Sequence, residues 1–322
     1  MNNRSTPKNI GRLLNRPHKL LLISCVIFAS FWPLAFAQEQ GSVAPKALAP
    51  LKTPESPTTP AKELFGRVKG AASLTPESIG FYAKGCLAGG QALPINGQHW
   101  QAMRLSRNRN WGNPALITFL ELFAEKAATV SGWPGILVGD MSQPRGGPML
   151  TGHASHQIGL DADIWLMPMP AKPFSMFERE TISSTNMVRS DRLDINPNTW
   201  TENHLAVIRE AALQPQVQRI FVNAAIKRAM CRTEAGQDWM RKVRPMYGHD
   251  YHFHVRLFCP SGDATCTAQD PTPEGDGCDK SLDWWFSDEV LNPKPVVPAP
   301  APTPPLTMAS LPEQCRFVLD AK

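Results

Sequence analysis

The chain has 322 residues, room for one large domain or two ordinary ones, and 42% of them are hydrophobic, enough to bury a core. That composition excludes disorder of the whole. The formal charge of +5 does not argue for nucleic acid, because Arg4, Lys8, Arg12, Arg16 and Lys19 hold five of the 33 basic residues in a segment without acids, and the remainder balances the 28 acids.

Those five cations precede an apolar stretch, residues 20–36, broken only by Ser24, Ser30 and Pro33 and followed by Ala37 of an Ala35-Phe36-Ala37 site. Basic, apolar and small-residue regions in this order read as a secretory signal peptide over residues 1–37, with no stable membrane span after cleavage. Two alternatives stay open. One is a permanent anchor, for which about 17 apolar residues are the short limit. The other is lipid attachment at Cys25, which follows Lys19 after a short apolar run.

Residues 38–62 form a proline-rich linker with Pro45, Pro50, Pro54, Pro57 and Pro60. Residues 292–322 open on a second one, with the run Pro298-Ala-Pro300-Ala-Pro302-Thr-Pro304-Pro305. Cys315 lies beyond that run, so a bridge from it to the core would make the stretch a strap. Between the two lies one core, residues 63–291, without internal repeats. Asn113-Pro114 starts a helix over residues 115–130 with Leu116, Phe119, Leu120 and Phe123 on one face. Residues 135–139 read as a buried strand and 143–148 as a Gly/Pro-rich loop. A strand at 160–166 alternates apolar and acidic residues. Residues 203–213 form a helix and 217–222 a strand, and 251–257 alternate again. Mixed strands and helices with long loops indicate an α+β fold.

Six cysteines remain once Cys25 is removed: Cys86, Cys231, Cys259, Cys266, Cys278 and Cys315. An even number in an exported chain implies disulfides. Cys259 and Cys266 are the easiest local pair. The rest are not assigned by spacing, and a zinc–thiolate site is the rival reading, although no Cys-x-x-Cys occurs.

Five histidines fall in two clusters, His153 with His156 and His249 with His252 and His254. In a strand, Asp161 and Asp163 share one face, opposite Leu160, Ala162 and Ile164. Two carboxylates beside two imidazoles need a charge partner, and a divalent cation supplies one. An acidic stripe facing solvent is the alternative. His252 and His254 also alternate, so one can hold a metal while the other stands one step away as general acid/base. Catalytic zinc takes three protein ligands of this mixed type and activates a water. No Gly-x-Ser-x-Gly and no His-Glu-x-x-His occurs, and the one Ser-x-x-Lys, Ser5 to Lys8, lies in the signal.

The segments Gly152-His-Ala-Ser-His-Gln-Ile-Gly-Leu-Asp-Ala-Asp163 and Met246-Tyr-Gly-His-Asp-Tyr-His-Phe-His-Val-Arg-Leu257, with their flanks, resemble the penicillin-insensitive murein endopeptidases. The similarity runs from about residue 80 to 315. It implies an α+β fold with a small antiparallel sheet carrying zinc, in the periplasm. It further implies hydrolysis of the D-alanyl–meso-diaminopimelyl cross-link of peptidoglycan, without the acyl-serine that β-lactams trap. His156, Asp163 and His254 match the zinc ligands, His252 the acid/base and His153 a further metal-associated histidine. His249 is a second candidate for proton transfer. Asp191 and Asp194 fall where the family shows an acid and a histidine, so a second metal site stays in doubt. The family pairing implies Cys86–Cys315, Cys231–Cys278 and Cys259–Cys266. Arg244 is a candidate to stabilise the oxyanion or bind substrate. The rival functions are a zinc D-Ala-D-Ala carboxypeptidase or dipeptidase, and a non-catalytic, metal-stabilised wall-binding module.

Overall fold

The computed structural model describes residues 48–295 and 301–322. The signal segment, Cys25 and parts of both proline-rich stretches lie outside the described residues. Helix α1 (Ala61–Phe65) leads into an antiparallel hairpin, β1 (Glu77–Phe81) and β2 (Lys84–Ala88). Strand β3 (Gln91–Ala92) pairs with β5 (Trp111–Gly112), and β4 (Trp100–Ala102) lies between them in the chain. Helix α2 (Pro114–Ser131) starts where the sequence places it. The Asn113 side-chain oxygen accepts the Ala115 N–H at 3.0 Å, and Pro114 occupies the first turn, where no amide donor is needed. The helix stops at Gly132, whose φ of 71° suits glycine.

The later elements are β6 (Ile136–Val138), β7 (Asp161–Trp165), α3 (Met176–Thr181), α4 (Glu202–Leu213), β8 (Val217–Val222) and α5 (Ala224–Glu234). After them come β9 (Val243–Pro245), β10 (His252–Leu257), α6 (Asp288–Leu291) and α7 (Gln314–Asp320). Six strands form one sheet in the order β4-β6-β7-β10-β8-β9. The expected sheet was small and antiparallel; this one is larger and mixed. Its centre, β6-β7-β10-β8, is antiparallel, whereas β4 joins β6 and β9 joins β8 in parallel. Parallel neighbours require a crossover, and α2 and α5 supply the two. Both added edge strands are three residues long, too short to show an alternation in sequence.

The main core lies on one face of this sheet. Ala162 and Ile164 of β7 and Phe253 and Val255 of β10 pack there with Leu116, Leu120 and Phe123 of α2 and Val207 and Ile208 of α4. Phe123 meets Phe253 edge-on at 6.4 Å. The period-two geometry of the strands then sends Asp161, Asp163, His252 and His254 to the opposite face.

A second core joins the two ends of the described residues. Ala61 and Phe65 of α1 pack with Ile79 and Cys86 of the hairpin and with Cys315 and Val318 of α7. Pro60 and Thr307 form an isolated bridge, so the two proline-rich flanks meet. The disulfides are Cys86–Cys315, Cys231–Cys278 and Cys259–Cys266, the pairing that the resemblance implies. No helix of the described residues is long and apolar enough to cross a membrane.

Candidate metal centre

Strands β7 and β10 pair so that His254 stands opposite Asp163, and Arg256 opposite Asp161. His254 Nδ1 lies 3.4 Å from Asp163 Oδ1, and the Nε2 of His252, one step along the strand, lies 3.7 Å from the same oxygen. His156 enters from the loop before β7. Its φ of 69° is a left-handed conformation that a histidine holds only under constraint. Part of that constraint is its backbone N–H, which donates to Asp161 Oδ2 at 3.0 Å. The turn puts His156 Nε2 3.5 Å from Asp163 Oδ1 and its ring 4.6 Å from that of His254. His153 completes the group, with Nε2 3.5 Å from Asp163 Oδ2. His249, also left-handed with a φ of 54°, has its ring 4.8 Å from that of His252, tilted by 42°. Its Nδ1–H donates to the Tyr247 carbonyl at 2.8 Å, which leaves Nε2 as the acceptor.

His156, Asp161, Asp163, His252 and His254 are buried, so the alternative of an acidic, solvent-facing stripe does not hold: Asp161 is 0% exposed and Asp163 5%. Both ring nitrogens of His156 and Oδ1 of Asp163 lack a hydrogen-bond partner. Buried, unpartnered polar atoms are costly, and several converging on one point are what a cation would satisfy. Among the described residues, one donor atom each from His153, His156 and Asp163 lie within 4.8 Å of one another. A nitrogen and carboxylate set without thiolate suits zinc or another first-row divalent metal.

The local charges agree. Burial pushes the His156 imidazole down to about 4, so it is neutral and free to ligate. Burial would raise the Asp163 carboxyl, but the surrounding histidines, His252 and His156 first, hold it well below the usual carboxylate range. Burial also lowers His252, whereas His254 is raised because Asp161 and Asp163 outweigh the same effect. Asp161 is the anchor behind the site. Its two oxygens accept from Arg256 Nε at 2.8 Å and Nη2 at 3.1 Å, and its Oδ1 stands 3.1 Å from His254 Nε2. A carboxylate behind a ligating imidazole fixes its orientation and raises its basicity.

The structure brings His153, His156, Asp163, His249, His252 and His254 together. Asp191 instead pairs with Arg189 and Asp194 with Arg232, all on exposed or half-exposed surface. Arg244 sits on β9, close to Gly277 and in the fields of Lys227 and Asp279. The cleft over the histidines is lined instead by Arg104, Arg107, Asp140, Trp165 and Tyr251, among others. Asp140 went unnoticed in the sequence. Its Oδ2 accepts from Arg107 at 3.0 Å, Arg109 at 2.8 Å and His153 at 3.1 Å. An acid at the end of a buried strand, just before a Gly/Pro-rich loop, was the available signal. Arg256 continues the period-two row of His252 and His254 and was legible in the same way.

The model of one protein family, penicillin-insensitive murein endopeptidase, matches residues 78–320. The chain is 44% identical over 233 residues to the penicillin-insensitive murein endopeptidase of Haemophilus influenzae, covering 70% of this chain and 78% of that one. It is 40% identical over 285 residues to the protein of the same name from Pectobacterium atrosepticum, covering 88% and 98%. A third relative of that name, from Klebsiella pneumoniae, is 38% identical over 266 residues, covering 81% and 91%. A match over this much of the chain, spanning both strands that carry the histidines, makes the protein a member of the penicillin-insensitive murein endopeptidase family.

Proposed function

We propose that this protein is a zinc-dependent murein endopeptidase of the periplasm that hydrolyses the D-alanyl–meso-diaminopimelyl cross-link of peptidoglycan. The observation that carries the reading is the buried set of unpartnered donors on His156 and Asp163, in a chain of this family. His156, Asp163 and His254 would hold the metal, with His153 beside them, already engaged through Nε2 by Asp140. A divalent metal there supplies Lewis-acid polarisation of the scissile carbonyl and an activated water.

The chain's own groups supply the rest. His252 is neutral, because burial lowers it, and can take a proton from the attacking water and return it to the leaving amine. His249 is held with Nε2 as acceptor and pushed down to about 4 by burial and by the neighbouring His252 and His254. It stays neutral and can pass or orient the same proton. The guanidinium groups of Arg104 and Arg107 line the cleft and favour negative charge developing on the carbonyl oxygen. No serine is acylated on this route, so β-lactams have nothing to trap. Residues 1–37 act as the export signal, and the oxidising compartment beyond it suits three disulfides.

Metal dependence tests the reading. Cleavage of purified peptidoglycan should cease when a chelator strips the protein and return with added zinc. Full activity in rigorously metal-free protein would overturn it.

A further inference from the structure

The cleft over the histidines is small, about 240 Å³, enough for the groups flanking a scissile bond but below the usual size of a ligand site. Most of a cross-linked peptide must therefore lie outside it. A second and larger cavity, about 740 Å³, adjoins it, and Arg107 lines both. The second cavity is cationic, with Arg67, Lys69, Arg107 and Arg109 on its walls and one acid, Glu63. Glu63 is already taken by Arg67, at 2.6 Å. Arg107 and Arg109 share one buried carboxylate oxygen, Oδ2 of Asp140, so two guanidiniums face one acid. Lys69 is exposed and has no acid at ion-pair distance among the described residues. Two positive charges are thus left over around this cavity. Arg107, its side chain 48% exposed, is free to turn a donor edge toward a ligand.

We propose that this cavity is a carboxylate-binding subsite for the acidic stem peptide, with Arg107 and Lys69 as its specificity-determining cations; this rests on the murein endopeptidase reading above. The chemistry matches. Diaminopimelate keeps a free carboxylate beside the acylated amine, and a γ-linked glutamate in the stem keeps its α-carboxylate. Two anionic groups along one extended peptide meet two uncompensated cations, one at the mouth of the metal cleft and one further out. The outer wall comes from Leu48 and from residues 63–69, which precede the region matched by the family.

The test uses the full mature chain, its Lys69→Glu and Arg107→Gln variants, and two substrates. One is a cross-linked muropeptide dimer with free carboxylates; the other is the same dimer with those carboxylates amidated. On the free-acid dimer Lys69→Glu should raise KM about fivefold with kcat within about twofold, as a charge contact of this exposure allows; Arg107→Gln should raise KM similarly and also lower kcat, because its guanidinium lines the metal cleft as well. On the amidated dimer the parent's KM should be raised, and neither variant should raise it further. Direct binding of the tripeptide L-Ala-γ-D-Glu-diaminopimelate, followed by calorimetry, gives a readout independent of cleavage. Lys69→Glu should weaken it about tenfold. Unchanged KM and unchanged tripeptide affinity in both variants would overturn the subsite, and so would an equal rise in KM on both dimers. Cleavage of the cross-link with no carboxylate preference would remove the subsite and leave the endopeptidase. Tripeptide binding that depends on Lys69, with no cleavage of either dimer, would keep the subsite and remove the endopeptidase.

Discussion

Two histidines two residues apart on β10 are assigned opposite tasks, and the assignment can be tested one side chain at a time. His254 faces Asp163 across the strand pair and has Asp161 behind it, the setting of a ligand. His252 is further from Asp163, and its Nδ1 has no partner, the setting of a proton carrier. His254→Ala should lose both bound metal and activity. His252→Ala should lose activity by about a hundredfold or more while keeping near-stoichiometric metal, read by elemental analysis of the purified protein. Equal metal loss in both would contradict the division of labour. Asp163, His252 and His254 of this candidate site were legible in the sequence, because candidate ligands on strands declare themselves by alternation with Ala162, Ile164, Phe253 and Val255; His153, His156 and His249 lie outside the strands and showed only as clusters. Asp140 and Arg107 were not legible. Arg107 ends a 3-10 turn and Asp140 follows β6, and only the folded chain joins Arg107 and His153 on the Asp140 carboxylate.

Among the elements, α5 contains a lysine whose position has a measurable consequence. Lys227 is fully buried, and its Nζ donates to the Met240 carbonyl at 2.9 Å and the Asp276 carbonyl at 2.5 Å. Burial, then the neighbouring Arg244, pushes its ammonium down to about 8. In the unfolded chain a lysine titrates near 10.4. Below pH 8 both states are charged, and the folded state bears the full cost of a buried ammonium. Between pH 8 and about 10.4 the unfolded chain binds the extra proton, so stability rises with pH, by at most about 3 kcal/mol. Chemical unfolding at pH 7.5 and pH 10 should show this gain in the parent and not in Lys227→Met; the same gain in both would contradict it. The long elements were legible for clear reasons: α2 carries its cap and its proline, and β7 and β10 alternate. The sheet edges were not, because β4 and β9 acquire strand geometry only by lying against β6 and β8.

At the scale of the molecule, helices α1 and α7 are tied together next to the hairpin β1–β2. The Cys86–Cys315 bridge spans 229 residues, and in the chain-entropy account closing so long a loop contributes up to about 5 kcal/mol. Cys315→Ser should lower the midpoint of thermal unfolding while leaving turnover at low temperature nearly unchanged, since Cys86 and Cys315 pack in the second core and not against the histidines. A free thiol at either position in exported protein, found by non-reducing peptide mapping, would contradict the bridge. The central claim is that the convergence of β7, β10 and the loop before β7 makes a metal-dependent endopeptidase. It is tested most directly by mass spectrometry of the products from a purified muropeptide dimer, incubated with zinc-loaded protein and with protein freed of metal. Cleavage at the D-alanyl–diaminopimelyl amide alone, by the zinc-loaded protein alone, is the expected result. A terminal D-alanine released from an intact dimer, or the same cleavage without metal, would contradict it.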